Sequence, residues 1–104
     1  MNVITMGAHI LDVLVRPVTE IPSGQGTALV EQMRMTAAGT AAGTALTFAK
    51  LGAAVCTAGA IGTDPAGDTV LSLLGSAGID TGLVVRKPDV PTSMSVLPIR
   101  PNGD

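Results

Sequence analysis

The chain has 104 residues, a formal net charge of −2 from six Lys and Arg against eight Asp and Glu, and one aromatic side chain, Phe48. That length holds one domain's worth of core at most, and scattered basic residues without rings to stack on bases exclude nucleic acid as a partner. No stretch reaches about 18 consecutive apolar residues and the N-terminus lacks a signal peptide's basic and apolar regions, so the expectation is a cytoplasmic protein without a membrane partner.

Taken in chain order, residues 2–7 read as an apolar strand, and Gly7-Ala8-His9 turns the chain. Residues 12–18 form a second extended piece, with Val13 and Val15 on one side and Asp12, Leu14 and Arg16 on the other. Pro17 and Pro22 mark it as an edge element or loop. After the turn Ser23-Gly24-Gln25-Gly26, residues 28–36 alternate: Leu29, Glu31, Met33 and Met35 on one face, Val30, Gln32 and Arg34 on the other. That is a strand with one wet side.

The stretch from Ala37 to Gly62 is different, because small residues open an alanine-rich helix that runs into a buried strand. Leu46, Phe48, Ala49 and Leu51 give a face of 3.6-residue period, Gly52 stands where a left-handed C-terminal residue is needed, and Ala53–Ile61 reads as a fully buried strand. A second helix follows over 65–77, with Asp64 as N-cap, Pro65 at its first position and Asp68 in its first turn. Val70, Leu71, Leu73, Leu74 and Ala77 are its buried face. A strand near Leu83–Arg86 continues the alternation of helix and strand, hence an α/β fold. Two strand types imply two layers: a buried parallel sheet, and a half-exposed sheet from about 12–18, 28–36 and 92–99. With one aromatic, the core carries little apolar area, so stability should be poor unless further chain or a partner covers the sheet.

Few residues carry candidate chemistry. Asp12, just after a strand-ending glycine, reads either as an edge-strand charge or as a carboxylate accepting hydrogen bonds from adjacent hydroxyls of a polyol. Gly39, Thr40 and Gly43 read either as tight helix packing or as a ligand floor, where backbone amides at a helix start approach a bound molecule. His9 has no partner nucleophile at a recognisable spacing and reads as a loop histidine; Cys56 reads as core packing. Met33, Met35 and Met94 either fill the inner face of the second sheet or line the apolar side of a ligand site. Helix capping accounts for Asp64 and Asp68 without a metal, so no metal ligand and no catalytic residue is assigned.

The run AAGTAAGTALTFAKLG resembles the N-terminal signature of the PfkB family of carbohydrate kinases, in which Gly-Gly-x-x-x-Asn-x-Ala leads to a helix ending in Leu-Gly. Three further pieces follow the family's order and spacing: Gly7 with Asp12 five residues on, Gly62-Thr63-Asp64-Pro65-Ala66-Gly67, and GSAGIDTGLVV. The family's Asn falls on Gly43, which offers only backbone.

The resemblance implies a ribokinase-like α/β fold, a parallel sheet flanked by helices plus a small β-sheet lid. It makes 1–104 the N-terminal part of a kinase domain, with its core in 1–11 and 37–86 and its lid in about 12–18, 28–36 and 92–99. It implies ATP-dependent phosphorylation of a sugar-like hydroxyl, with Asp12, Gly39, Thr40 and Gly43 binding the sugar. ATP and Mg²⁺ would bind in the family's C-terminal half, beyond Asp104, so the isolated chain should be inactive. A homodimer through the lid, burying Met33 or Met35, is also expected. The alternatives are a truncated, non-catalytic interaction module and an adenosine-type nucleoside kinase of the same fold.

Overall fold

A computed structural model describes residues 2–104. Three parallel strands, β1 (Asn2–Met6), β4 (Ala54–Gly62) and β5 (Asp80–Lys87), form sheet A in the order β1-β4-β5. Helices α1 (Thr40–Lys50) and α2 (Pro65–Ser76) make the crossovers and pack on one face of it. The core is small: Leu11, Ala37, Ala42, Ala45, Val55, Val70, Leu74 and Ile79 are its buried residues. Three are alanines, which let α1 lie close to the sheet and contribute little apolar area each. The opposite face of sheet A leaves Ile4, Met6, Leu83 and Val85 exposed, with Cys56 half-buried among them. Cys56 is thus not core packing: its neighbours Val55 and Thr57 point to the helices, and the pleat turns Cys56 away.

The second sheet has the order β3-β2-β6, from β2 (Ile10–Arg16), β3 (Gln32–Ala38) and β6 (Ser93–Pro98). β2 is its central strand, antiparallel to β3 and parallel to β6. The edge position read from the prolines is therefore corrected: Pro17 lies just past the last paired residue, Arg16, and interrupts no ladder. β3 opens at Gln32, not at residue 28. Gln32 pairs with the last residue of β2, and nothing upstream has a strand to pair with; Leu29 is 95% exposed.

The register gives this sheet two unlike faces. Leu11, Val13 and Val15 align with Ala37, Met35 and Met33 on one side and with Met94, Val96 and Pro98 on the other, an apolar face throughout. Asp12, Leu14 and Arg16 align with Thr36, Arg34 and Gln32, and with Ser95 and Leu97, a mainly polar face.

Candidate functional site

The start of α1 shows why its residues are small. Gly39 precedes the helix at φ 91°, ψ 167°, a region open essentially to glycine alone, and a Cβ there would sit 2.5 Å from the Ala8 carbonyl oxygen. The approach is close because Ala8 caps the helix: its carbonyl accepts from Ala41 N at 3.1 Å and Ala42 N at 3.4 Å, while its own N–H donates to Thr40 Oγ1 at 3.2 Å. Gly43 N is spent on Gly39 O at 2.9 Å. The amides expected to face a ligand are thus largely taken by the protein. What the turn does is fasten the β1–β2 connection to α1, which fixes where β2 begins. Gly43 differs from Gly39, since a Cβ on it would meet nothing within 4 Å.

β2 then carries Asp12 between Thr36 on β3 and Ser95 on β6. The carboxylate is half-buried, and among the described residues it has no salt bridge or hydrogen bond. Gly39 and Thr40 follow Thr36 by three and four residues, so the carboxylate and the helix start flank the same end of β3. A cleft of about 170 Å³ on the Asp12 face is lined by Leu14, Arg16, Gln32, Arg34, Thr36 and Ile99, not by the glycine-rich turn.

His9 is a finding that sequence reasoning missed. It stands in the β1–β2 connection, as a loop histidine would, but it is 3% exposed. Its Nδ1 lies 3.0 Å from Gly7 O, a pure acceptor, so Nδ1 carries a proton, and its Nε2 lies 2.8 Å from the Thr57 hydroxyl. Thr57 Oγ1 is 2.7 Å from Thr5 Oγ1, which reaches the Ala41 carbonyl at 3.0 Å. The chain of contacts ties β1, β4, the connection and α1 together. Gly59 makes room for the ring, since a Cβ there would lie 2.5 Å from Nδ1. The sequence signal was faint: Thr5 and Thr57 at matching positions in two otherwise apolar strands.

A second hub joins α2 to the other elements. Asp64 Oδ1 accepts from Gly67 N at 2.9 Å, the expected cap, and from Thr92 Oγ1 at 2.6 Å, while Oδ2 accepts from Thr92 N at 2.9 Å. Arg86 donates to Gly62 O at 2.8 Å and pairs with Asp68 at 2.8 Å. Asp64 therefore holds the strand entering β6 as well as its own helix. Among the described residues, no group of three or more His, Cys, Asp or Glu side chains is placed to hold a metal ion.

Both hubs predict acid sensitivity. Burial lowers the His9 pKa from its ordinary 6.5, against the Gly7 hydrogen bond that raises it. The Thr92 hydroxyl, then the Thr92 and Gly67 amides, lower Asp64 from 3.8 to about 2. In each case the folded chain binds the proton less readily than the unfolded one. Stability is therefore fully present above the ordinary pKa and lost as pH falls below it. Urea midpoints followed from pH 8 to pH 3 should decline first below 6.5 and again below 3.8. His9→Gln should remove the first decline and Asp64→Ala the second; declines that persist in these variants would assign them to other groups.

The comparisons with known proteins agree in kind. A family model described as pfkB family carbohydrate kinase matches residues 2–104. The structure is similar to a candidate ribokinase from Agrobacterium tumefaciens, at 30% identity and TM-score 0.87 over 99% of this chain and 33% of that one. It is similar to a fructokinase from Xylella fastidiosa, at 26% identity and TM-score 0.75 over 99% of this chain and 30% of that one. The ribokinase of Arabidopsis thaliana complexed with ribose and ATP is similar in fold, at 23% identity and TM-score 0.79 over 97% of this chain and 33% of that one. The chain spans about a third of the length of each of these structures. No curated protein sequence matches it.

Proposed function

Because the chain belongs to the pfkB family of carbohydrate kinases, we propose that the protein transfers the γ-phosphoryl group of ATP to a hydroxyl of a sugar or sugar-like acceptor, this chain supplying part of the acceptor site and its lid. The observation that carries the reading is Asp12: a half-buried carboxylate in the middle of a sheet, between Thr36 and Ser95, with no hydrogen-bond or salt-bridge partner among the described residues. An unanswered carboxylate in such a place costs desolvation, which two hydroxyls of a polyol would offset by donating to it.

In the transfer, an acceptor oxygen bonds to the γ-phosphorus, the bond to the bridging oxygen breaks, ADP departs, and the hydroxyl proton passes to a base. Positioning is most of the catalysis in such a reaction, and Asp12 is assigned to that task; Gly39, Thr40 and Gly43 shape the helix start beside it, with the Gly43 amide bonded to Gly39 O and Thr40 Oγ1 accepting from the Ala8 amide. ATP would bring Mg²⁺, which neutralises charge on the phosphates. No residue of this chain is assigned to the nucleotide, the metal ion or the proton. The apolar face of the second sheet, with Met33, Met35, Met94 and Val96 exposed, is where we place a dimer contact, since uncovered apolar strands invite a second copy.

The test is direct. The full-length protein, incubated with ATP, Mg²⁺ and a panel of sugars, sugar derivatives and nucleosides, should release ADP in an acceptor-dependent way. Absence of acceptor-dependent release across the panel would overturn the reading, and release with adenosine alone would replace it by the nucleoside kinase.

A further inference from the structure

The Asp12 face of the second sheet carries two arginines that no carboxylate pairs with among the described residues. Leu14 pairs with Arg34 and Arg16 with Gln32, so Arg16 and Arg34 are diagonal neighbours across the β2–β3 ladder, with side chains on one face. Both line the cleft of about 170 Å³ over Leu14, together with Gln32, Thr36 and Ile99. Both are exposed, and among the described residues neither takes part in a salt bridge or side-chain hydrogen bond; the ion pair present is Arg86 with Asp68. The paired positions of β6 on this face, Ser93, Ser95 and Leu97, bring no charge. The face therefore has a negative end at Asp12 and a positive end at Arg34 and Arg16.

As diagonal neighbours on paired strands, Arg16 and Arg34 give each other no counter-charge, and the cleft between them presents two like charges to whatever enters it. Guanidinium groups match carboxylate and phosphate oxygens with paired N–H donors, which makes an anion the natural occupant. Asp12 and Leu14, with Arg34 opposite it, are about 6.6 Å apart along the strand, the length scale of a hexose. We propose that the acceptor is an anionic sugar derivative, its hydroxyls held at Asp12 and Thr36 and its carboxylate or phosphate at Arg34 and Arg16. This rests on the sugar kinase reading and narrows its substrate class.

The experiment compares kcat/KM of the full-length protein, with ATP saturating, for matched acceptors: neutral sugars, their terminal phosphates, and sugar acids of the same chain length. An anionic acceptor should be preferred over its neutral counterpart by about 10- to 100-fold, the scale of one charge-assisted hydrogen bond, and the phosphate and carboxylate arms separate the two sources of charge. In Arg34→Gln, the ratio of kcat/KM for the anionic over the neutral acceptor should fall by about the same factor, with Arg34→Lys retaining part of it. Arg16→Gln should lower the ratio in the same direction. Both positions are exposed, so folding of the variants is checked simply by thermal melting. Preference for neutral sugars, with ratios indifferent to Arg34→Gln and Arg16→Gln, overturns the inference and leaves the kinase standing. Failure to phosphorylate any acceptor overturns both.

Discussion

Gly39→Ala is expected to destabilise the fold by about 3 kcal/mol or more, one of the largest losses available to a single methyl group. Gly39 holds a backbone conformation that costs roughly 1–3 kcal/mol for any other residue, and its new Cβ would press on the Ala8 carbonyl that caps α1. Relief requires moving Ala8, which releases the Ala41 and Ala42 amides and pulls the connection carrying His9 off the helix. Gly43→Ala, four residues on in the same helix, should do the opposite. It lies within α1 with open space around it, so exchanging glycine for alanine should add about 0.5–1 kcal/mol. Urea unfolding of both variants beside the parent protein measures the contrast. A Gly39→Ala loss below about 1 kcal/mol would mean that the β1–β2 connection is free to shift, and the account of α1 as its anchor would fail.

That contrast also marks how far the sequence could be read. Spacing alone put Gly39, Thr40 and Gly43 in one group at a helix start, and α1 does begin at Thr40. Pattern could not tell which glycine is a backbone necessity and which is merely small, because the difference lies in Ala8, brought there by the β1–β2 connection. Asp64 as a helix cap was legible, being a local signal; its second use, gripping Thr92 across 28 residues, was not. The alternation in residues 28–36 read as a strand with one wet side; the strand forms, but Met33 and Met35 on one face are as exposed as Gln32 and Arg34 on the other, and the pattern ran too far upstream, since pairing ends where β2 ends. His9 was the largest omission. A histidine between a glycine turn and a strand looks solvated until Thr5 and Thr57 are placed side by side by the parallel pairing of β1 with β4.

Asp12→Asn in the full-length protein should raise KM for the acceptor by about 10- to 100-fold while leaving the melting temperature within a few degrees of the parent. Asn keeps the shape and one acceptor oxygen but removes the charge, and each hydrogen bond to a charged group is worth on the order of 1.5–3 kcal/mol. The small effect on stability follows from the absence of any salt bridge or hydrogen bond to this carboxylate among the described residues. Removing a half-buried, unanswered charge leaves no partner behind and could even relieve a desolvation cost. A structural Asp12 would behave in the reverse way, lowering the melting temperature and leaving KM nearly intact. Measuring both quantities on one purified variant separates the two roles, and an unchanged acceptor KM with ATP saturating would remove Asp12 from the site. Because Thr36 stands beside Asp12 on β3 and lines the cleft on that face, Thr36→Val provides a graded companion. Loss of one neutral hydroxyl should weaken binding several-fold, less than loss of the charge.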